Sequence, residues 1–382
     1  MQDAPGDAGV NDNVNDKRKS RLKAVDLFAG SGGLSLGLRW AGFDIATAVE
    51  KDATAAKTYR YNHRRTVLLE RDITEINAPE LLRHVRGTVS VLAGCAPCQG
   101  FCSLTNKNKR RDPRNQLVLE MARLVRGLQP QVVFMENVPG ILTRGRRVFR
   151  AFVNALLKLD YVCSYRVVQM ADFGVPQYRR RLVLLAGRGF LVPFPSPTHV
   201  RAPNPESSLK PWVNVRRAIG HLGAPLTLAD VVRNGGPHRY NWHVARELQP
   251  QTKLRLRAAT PGKTWLTVDE QLRPECHQQN YKGFMNTYGR MTWDDVSPTI
   301  TAGCTTPCKG RFGHPDRRRY AISVREAAIL QSFPEIYGFR TNQIDNTCDL
   351  IGNAVPPLFA RAVGTAIRKA LAARNGSVAR KR

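Results

Sequence analysis

The chain has 382 residues, room for two or three cores of ordinary size, and a formal charge of +29 from 59 Lys and Arg against 30 Asp and Glu. Such an excess points to a polyanionic partner, nucleic acid first. There is no apolar run near ~18 residues, no apolar or basic leader at the N-terminus, and too few cysteines (eight) for a disulfide scaffold; export and membrane insertion are disfavoured, and reduced thiols in a cytoplasmic setting are expected.

Residues 1–20, rich in Asp, Asn and Gly, read as a disordered tail. From Lys23 the pattern predicts a buried strand (AVDLF), a tight turn (AGSGG) and a helix closed by Gly42. The next strand, FDIATAVE, ends in Glu50, about twenty residues past the glycines, where a carboxylate meets ribose hydroxyls in a nucleotide-type βαβ unit. Gly30, Gly32 and Gly33 do not complete G-x-G-x-x-G, which disfavours a dinucleotide. Two readings of the turn stay open: a backbone that approaches a small adenosine-bearing ligand, with Phe28 available to lie against it, or a turn needed only for helix–strand packing. A helix (DATAAKTYRYNH) and a short third strand ending at Asp72 follow.

VSVLAG is a buried strand running into a loop that holds Cys95, Cys98 and Cys102. After the basic segment NKNKRRDPRN, which reads as a surface loop or a phosphate-contacting flap, Asp112 and Pro113 start a helix striped by Leu117, Met121, Leu124, Val125 and Leu128. The strand QVVFM delivers Glu136 at its carboxyl end, the rim where reactive groups of open α/β sheets collect, so Glu136 should lie near Cys98. A helix (VFRAFVNALLKLDY) and a strand (CSYRVVQM) precede Gln177, Arg179, Arg180 and Arg181, which lead into LVLLAG; alternation sends Arg179 and Arg181 to one face.

The expected fold is α/β, a Rossmann-like doubly wound and mostly parallel sheet with a smaller irregular domain. Residues 21–193 form the catalytic, cofactor-binding part, and a shift toward Pro, Ser and Asn near residues 191–211 marks a boundary. Residues 194–343, with four of the five tryptophans, form a loop-rich recognition domain; residues 344–371 return as a turn and helix to the first sheet, and 372–382 are a basic tail.

A thiolate is the strongest neutral-pH side-chain nucleophile, but near a pKa of ~8.5 it needs assistance. Loop amides, the arginines and Glu136 as hydrogen-bond partner or proton donor are candidates, and nucleophile plus carboxyl suits attack on an electron-poor ring. A zinc reading would join Cys95 and Cys98 to Cys304, Cys308 or the Cys276–His277 pair.

FAGSGG, APCQGF, MENVPG, the Gln177-x-Arg179-x-Arg181 block, REAAILQSFP and GNAVPP occur in the order of the DNA (cytosine-5) methyltransferase family, and the resemblance spans roughly residues 23 to 370. It implies an S-adenosylmethionine-dependent enzyme in which Cys98 adds to carbon 6 of cytosine and Glu136 holds N3 and the amino group. Arg179 and Arg181 would support the flipped base and the catalytic loop. The resemblance assigns Phe28, Gly30, Gly32, Gly33, Glu50, Asp72, Pro97 and Asn353 to the cofactor and, with these arginines, Gln99 and Gln177 to DNA. It implies no metal, double-stranded DNA as partner, a monomer on nucleoid DNA, and a companion restriction endonuclease not physically bound. An RNA substrate, or a non-catalytic zinc-containing DNA-binding protein, is the alternative. Two departures stand out: Cys102 replaces a common Ser and is expected to be packed, as is Cys95, and Lys51 replaces a common aromatic or apolar residue.

Overall fold

The computed structural model describes residues 22–97, 116–277 and 285–379. Cys98, Gln99, Cys102, the basic segment with Asp112 and Pro113, residues 1–21 and residues 380–382 lie outside the described residues, while residues 372–379, expected as part of a basic tail, continue the last helix.

Seven strands form one sheet: β1 Lys23–Leu27, β2 Asp44–Val49, β3 Val67–Leu69, β4 Val89–Gly94, β5 Val132–Asn137, β6 Tyr161–Gln169 and β7 Arg180–Arg188. Their order is β3-β2-β1-β4-β5-β7-β6, with β7 antiparallel to both β5 and β6 and the other pairs parallel. The chain winds outward from β1 to β3 on one side and restarts at β4 on the other. The loops leaving β1 and β4 therefore diverge and open a crevice at the carboxyl rim.

Helices cover both faces, which is why every residue of VSVLAG in β4 is buried instead of alternating. One face packs α3 (Ala78–Val85), α4 (Leu117–Leu128) and α5 (Arg146–Leu157); α3 lacks a counterpart in the sequence reading. α4 buries Met121, Leu124, Val125 and Leu128, four of the five stripe residues, while Leu117 is half-buried. The other face packs α1 (Gly33–Trp40) against the long α11 (Pro357–Ala379). The apolar stretch Ile344–Gly376 meets the length and hydropathy of a membrane span. Here it supplies the core through Phe359, Val363, Ile367 and Leu371. The helix α2 (Ala53–Asn62) starts at Asp52, whose side chain accepts the Ala55 N–H.

Between residues 199 and 353 the regular elements are short: α6 Val215–Ile219, α7 Leu228–Arg233, α8 Pro250–Ala258, α9 Val324–Leu330, α10 Ile344–Asn353 and paired two-residue strands. Trp242, Phe312, Phe333 and Phe339 form a separate core that includes Cys348 and Ile351 of α10. Irregular backbone leaves carbonyls to satisfy, and buried arginines do so. Arg290 donates to the carbonyls of Leu256 (2.6 Å), His314 (2.5 Å) and Arg319 (2.9 Å).

Two features generate tests. The first is the α1–α11 crossing, where a Cβ on Gly37 would lie 2.3 Å from the Pro357 carbonyl oxygen and 2.4 Å from Ala360 Cβ. Gly37→Ala gains about 1 kcal/mol of helix propensity but must push apart two backbones in a packed core. A net loss of about 1–3 kcal/mol is expected, read as a lower urea midpoint at unchanged slope.

The second is Asp26, fully buried, whose Oδ2 accepts from Ser35 Oγ at 2.6 Å; the same hydroxyl lies 2.8 Å from Tyr59 OH. Burial, opposed by the Ser35 hydrogen bond and aided by the Glu50 charge, pushes Asp26 from 3.8 up to about 7. Through that window the native state keeps a proton the unfolded chain has released, so the contribution of Asp26 to stability falls as pH rises and is level above the window. Asp26→Asn should therefore gain stability relative to the parent between about pH 4 and 7, by up to about 4 kcal/mol. Urea titrations at both ends of the window check this; a pH-independent difference would contradict it.

Candidate active site

The crevice between the β1 and β4 loops is built around a glycine turn. Phe28 (φ 58), Gly30 (φ 55) and Gly32 (φ 92) all sit in the left-handed region, so the chain reverses directly off the strand into α1. Gly32 is required for packing: a Cβ there would lie 2.3 Å from His63 Nε2. His63, pushed down to about 3 by burial, is a neutral ring 3.0 Å from Tyr337 OH, which donates to the Ser31 carbonyl at 2.5 Å. The turn is thus held by a tyrosine from the second core.

Glu50 follows β2 directly. Its two oxygens accept the Gly30 and Asp52 N–H groups, each at 2.8 Å, which aims the carboxylate across the turn. Burial raises its pKa against these hydrogen bonds. Phe28, Gly30, Gly33, Glu50, Pro97 and Asn353 line one cavity of about 380 Å³, a size suited to a small ligand. Gly32 is not on its wall. Asp72 lines a smaller neighbouring recess that shares Phe28, Glu50 and Pro97 with the first. It does not end a strand as expected, since β3 stops at Leu69; it caps the 3-10 turn Ile73–Glu75 by accepting the Thr74 N–H. That hydrogen bond, with the Lys51 ammonium 3.1 Å away, lowers its pKa. Lys51, flagged as a departure, is therefore paired with Asp72 at the recess. The sequence reading missed Ser31, Asp52, Thr54, Asn346 and Asp349 on the cavity wall. Asp52 and Thr54 follow Glu50 closely enough to have been found, but Asn346 and Asp349 arrive only through the packing of α10.

Among the described residues the lining contains Glu50, Asp52 and Asp349 and neither Lys nor Arg. Such a wall fits a ligand of positive or zero charge bearing hydroxyls and an amine, as S-adenosylmethionine is, and is unsuited to a pyrophosphate.

At the far side of the β4 loop lies Glu136, 2% exposed. Arg181 Nε stands 3.2 Å from its Oε1, and Cys95 Sγ donates to its Oε2 at 2.7 Å. Burial, then the Glu136 charge, raises the Cys95 pKa, so Cys95 is a neutral thiol. Asn137 ties the two strands together by donating to the Ala96 carbonyl at 3.2 Å. Pro97 is the last described residue of this loop.

The Q-x-R-x-R block divides. Arg181 reaches Glu136, Arg180 is exposed, and Arg179 is 2% exposed. The Arg179 guanidinium donates to the carbonyls of Ile300 (2.9 Å), Gly352 (3.2 Å) and Ala354 (3.3 Å). Gln177 is fully buried; its amide donates to the Leu330 carbonyl at 2.9 Å and its oxygen accepts the Ile300 N–H at 3.1 Å. Gln177 and Arg179, expected at the DNA, use these hydrogen bonds to join the sheet to the second core. Among the described residues no three His, Cys, Asp or Glu side chains gather as metal ligands.

Comparison with known proteins agrees with this geometry. The family model of C-5 cytosine-specific DNA methylases matches residues 22–369. The Type II methylase M.HgiDII of Herpetosiphon aurantiacus is 37% identical over 353 residues, 91% of this chain and 95% of the relative. The Type II methyltransferase M.XorII of Xanthomonas oryzae pv. oryzae is 33% identical over 382 aligned positions, 92% of this chain and 86% of the relative. Among solved structures, an Escherichia coli prophage-encoded protein put forward as a DNA modification methyltransferase superposes with a TM-score of 0.69 at 23% identity, covering 92% of this chain and 99% of that one. A DNMT2 variant of Spodoptera frugiperda gives 0.58 at 18% identity, with 91% and 99% covered. Both share the α/β fold. The chain belongs to the C-5 cytosine-specific DNA methylases and is a DNA (cytosine-5) methyltransferase.

Proposed function

We propose that this enzyme methylates carbon 5 of a flipped-out cytosine in double-stranded DNA through a transient bond from Cys98 to carbon 6. The observation that carries the proposal is the Glu136–Arg181 pair at the rim, beside the end of the loop that leads to Cys98 and next to the acid-lined cavity.

Carbon 5 of cytosine is a weak nucleophile. Addition of the Cys98 thiolate to carbon 6 pushes the ring electrons toward carbon 5 and N3; Glu136, placed by Arg181, would accept from the amino group and share a proton with N3 as that charge builds, taking it back when the ring is restored. S-adenosylmethionine supplies the electrophilic methyl group, and Phe28, Gly30, Gly33, Glu50, Asp72, Pro97 and Asn353 would hold it, Glu50 at the ribose hydroxyls. Loss of the carbon 5 proton and departure of the Cys98 thiolate restore the aromatic ring. The target base must leave the stack, at a cost of a few kcal/mol. The charge of +29 supports contacts to the opened duplex. Residues 194–343 would read the sequence around the target, with the chain acting as a monomer on nucleoid DNA in the cytoplasm. Its relatives carry Type II names, which supports a role in protecting DNA against a companion endonuclease.

Expression in a methylation-free host followed by mapping of 5-methylcytosine tests the proposal: one short sequence context should be modified in DNA, and modification confined to RNA would overturn it. Cys98→Ser should abolish methyl transfer while S-adenosylmethionine still binds, and wild-type activity would remove the nucleophile assignment. Glu136→Gln should lower kcat about 10²–10³-fold with little change in DNA affinity; a defect confined to DNA binding would contradict its role. DNA affinity should also fall steeply and log-linearly with salt, and a flat response would show that the charge serves another purpose.

A further inference from the structure

Gly94 of β4 pairs with Met135 of β5, so the next residues along the two parallel strands, Cys95 and Glu136, emerge side by side at the rim. Any side chain at position 95 must stand against the Glu136 carboxylate. The thiol hydrogen bond to Oε2 and the Arg181 Nε approach to Oε1 are its described side-chain partners, and the two are unlike. Arg181 is close enough to pair in charge, yet among the described residues Oε1 has no aligned hydrogen-bond donor. Cys95 supplies the aligned donor to a carboxylate that is almost wholly out of water.

We propose that Cys95 is a positioning residue for Glu136, its thiol holding the carboxylate in the receiving orientation until the cytosine edge displaces it. The proposal rests on the reading of Glu136 as the group that takes the base. A thiol suits a placeholder, because it is a weak donor. It orients a buried carboxylate but gives way to the stronger N–H donors of a base. A hydroxyl at this position would keep the donor, whereas a methyl group would leave Oε2 without it. Burial and the Glu136 charge also keep the proton on Cys95 sulfur, so this thiol does not compete with Cys98 as a nucleophile. Cys95 lines the cofactor cavity as well, placing the contact between that cavity and Glu136.

The test is the pH dependence of kcat/KM for DNA methylation by the full-length enzyme and by Cys95→Ala, Cys95→Ser and Glu136→Gln. Removing a donor to the ionised carboxyl makes protonation easier. In Cys95→Ala the limb of the profile that Glu136→Gln abolishes should therefore move to higher pH by about half a unit or more, with kcat about tenfold lower. Cys95→Ser, which keeps a donor at this position, should return the limb toward its parental position. A Cys95→Ala profile superimposable on the parent would overturn the proposal. So would equal losses in Ala and Ser without movement of the limb, the mark of a packing role. The reading beneath it fails separately, if Glu136→Gln methylates DNA as well as the parent.

Discussion

The guanidinium of Arg179 is the constraint on which the active centre depends. A planar cation withdrawn from water must have its donors satisfied, and this one bonds carbonyls from two remote stretches, Ile300 and the Gly352–Ala354 turn. It fixes the end of the sheet against both. Gly352 makes the approach possible, because a Cβ there would fall 2.2 Å from the Thr301 carbonyl carbon. Asn353, between the tethered residues, is thereby brought onto the cavity that Glu50 borders from the opposite side of the turn. Gln177 extends the join with its bonds to Leu330 and Ile300.

Three carboxyl groups near this rim show how surroundings divide one chemical group into separate roles. Asp26 lies beneath the turn, pushed up to about 7 by burial, and anchors Ser35 and through it Tyr59. Glu50 is clasped by two backbone N–H groups and keeps lone pairs for hydroxyls of a ligand. Glu136 is held by one thiol and one guanidinium, both of them side chains. Rigid amides suit a group that grips throughout; mobile side chains suit one that exchanges partners.

Much of the sheet was legible from residue patterns. AVDLF, FDIATAVE, VSVLAG, QVVFM and LVLLAG coincide with strands because covered strands read as largely apolar runs, and CSYRVVQM coincides with the edge strand β6, which is only partly buried. The helix α3 stands outside these patterns, although it has a Pro in its first turn and an Asn cap that accepts the Glu80 N–H. Asp72 was placed on a strand because its role as a turn cap depends on Thr74 and on where β3 stops. Glu50, Phe28 and Glu136 were visible as strand-end residues. Lys51 was noticed as unusual, but its pairing with Asp72 required the two loops to be neighbours.

By itself the sequence determined the ordered motifs, the strand-ending carboxylates and the family, because these are properties of short contiguous segments and their succession. The tertiary structure decided how the arginine block divides, that Cys95 touches Glu136, and which residues of α10 complete the cavity. Each of these depends on groups distant in sequence meeting at one rim, and alternation along a strand says which face a side chain takes without saying what waits there. Arg179 and Arg181 share a face and differ by two residues, yet one meets carbonyls from the second core and the other the Glu136 carboxylate.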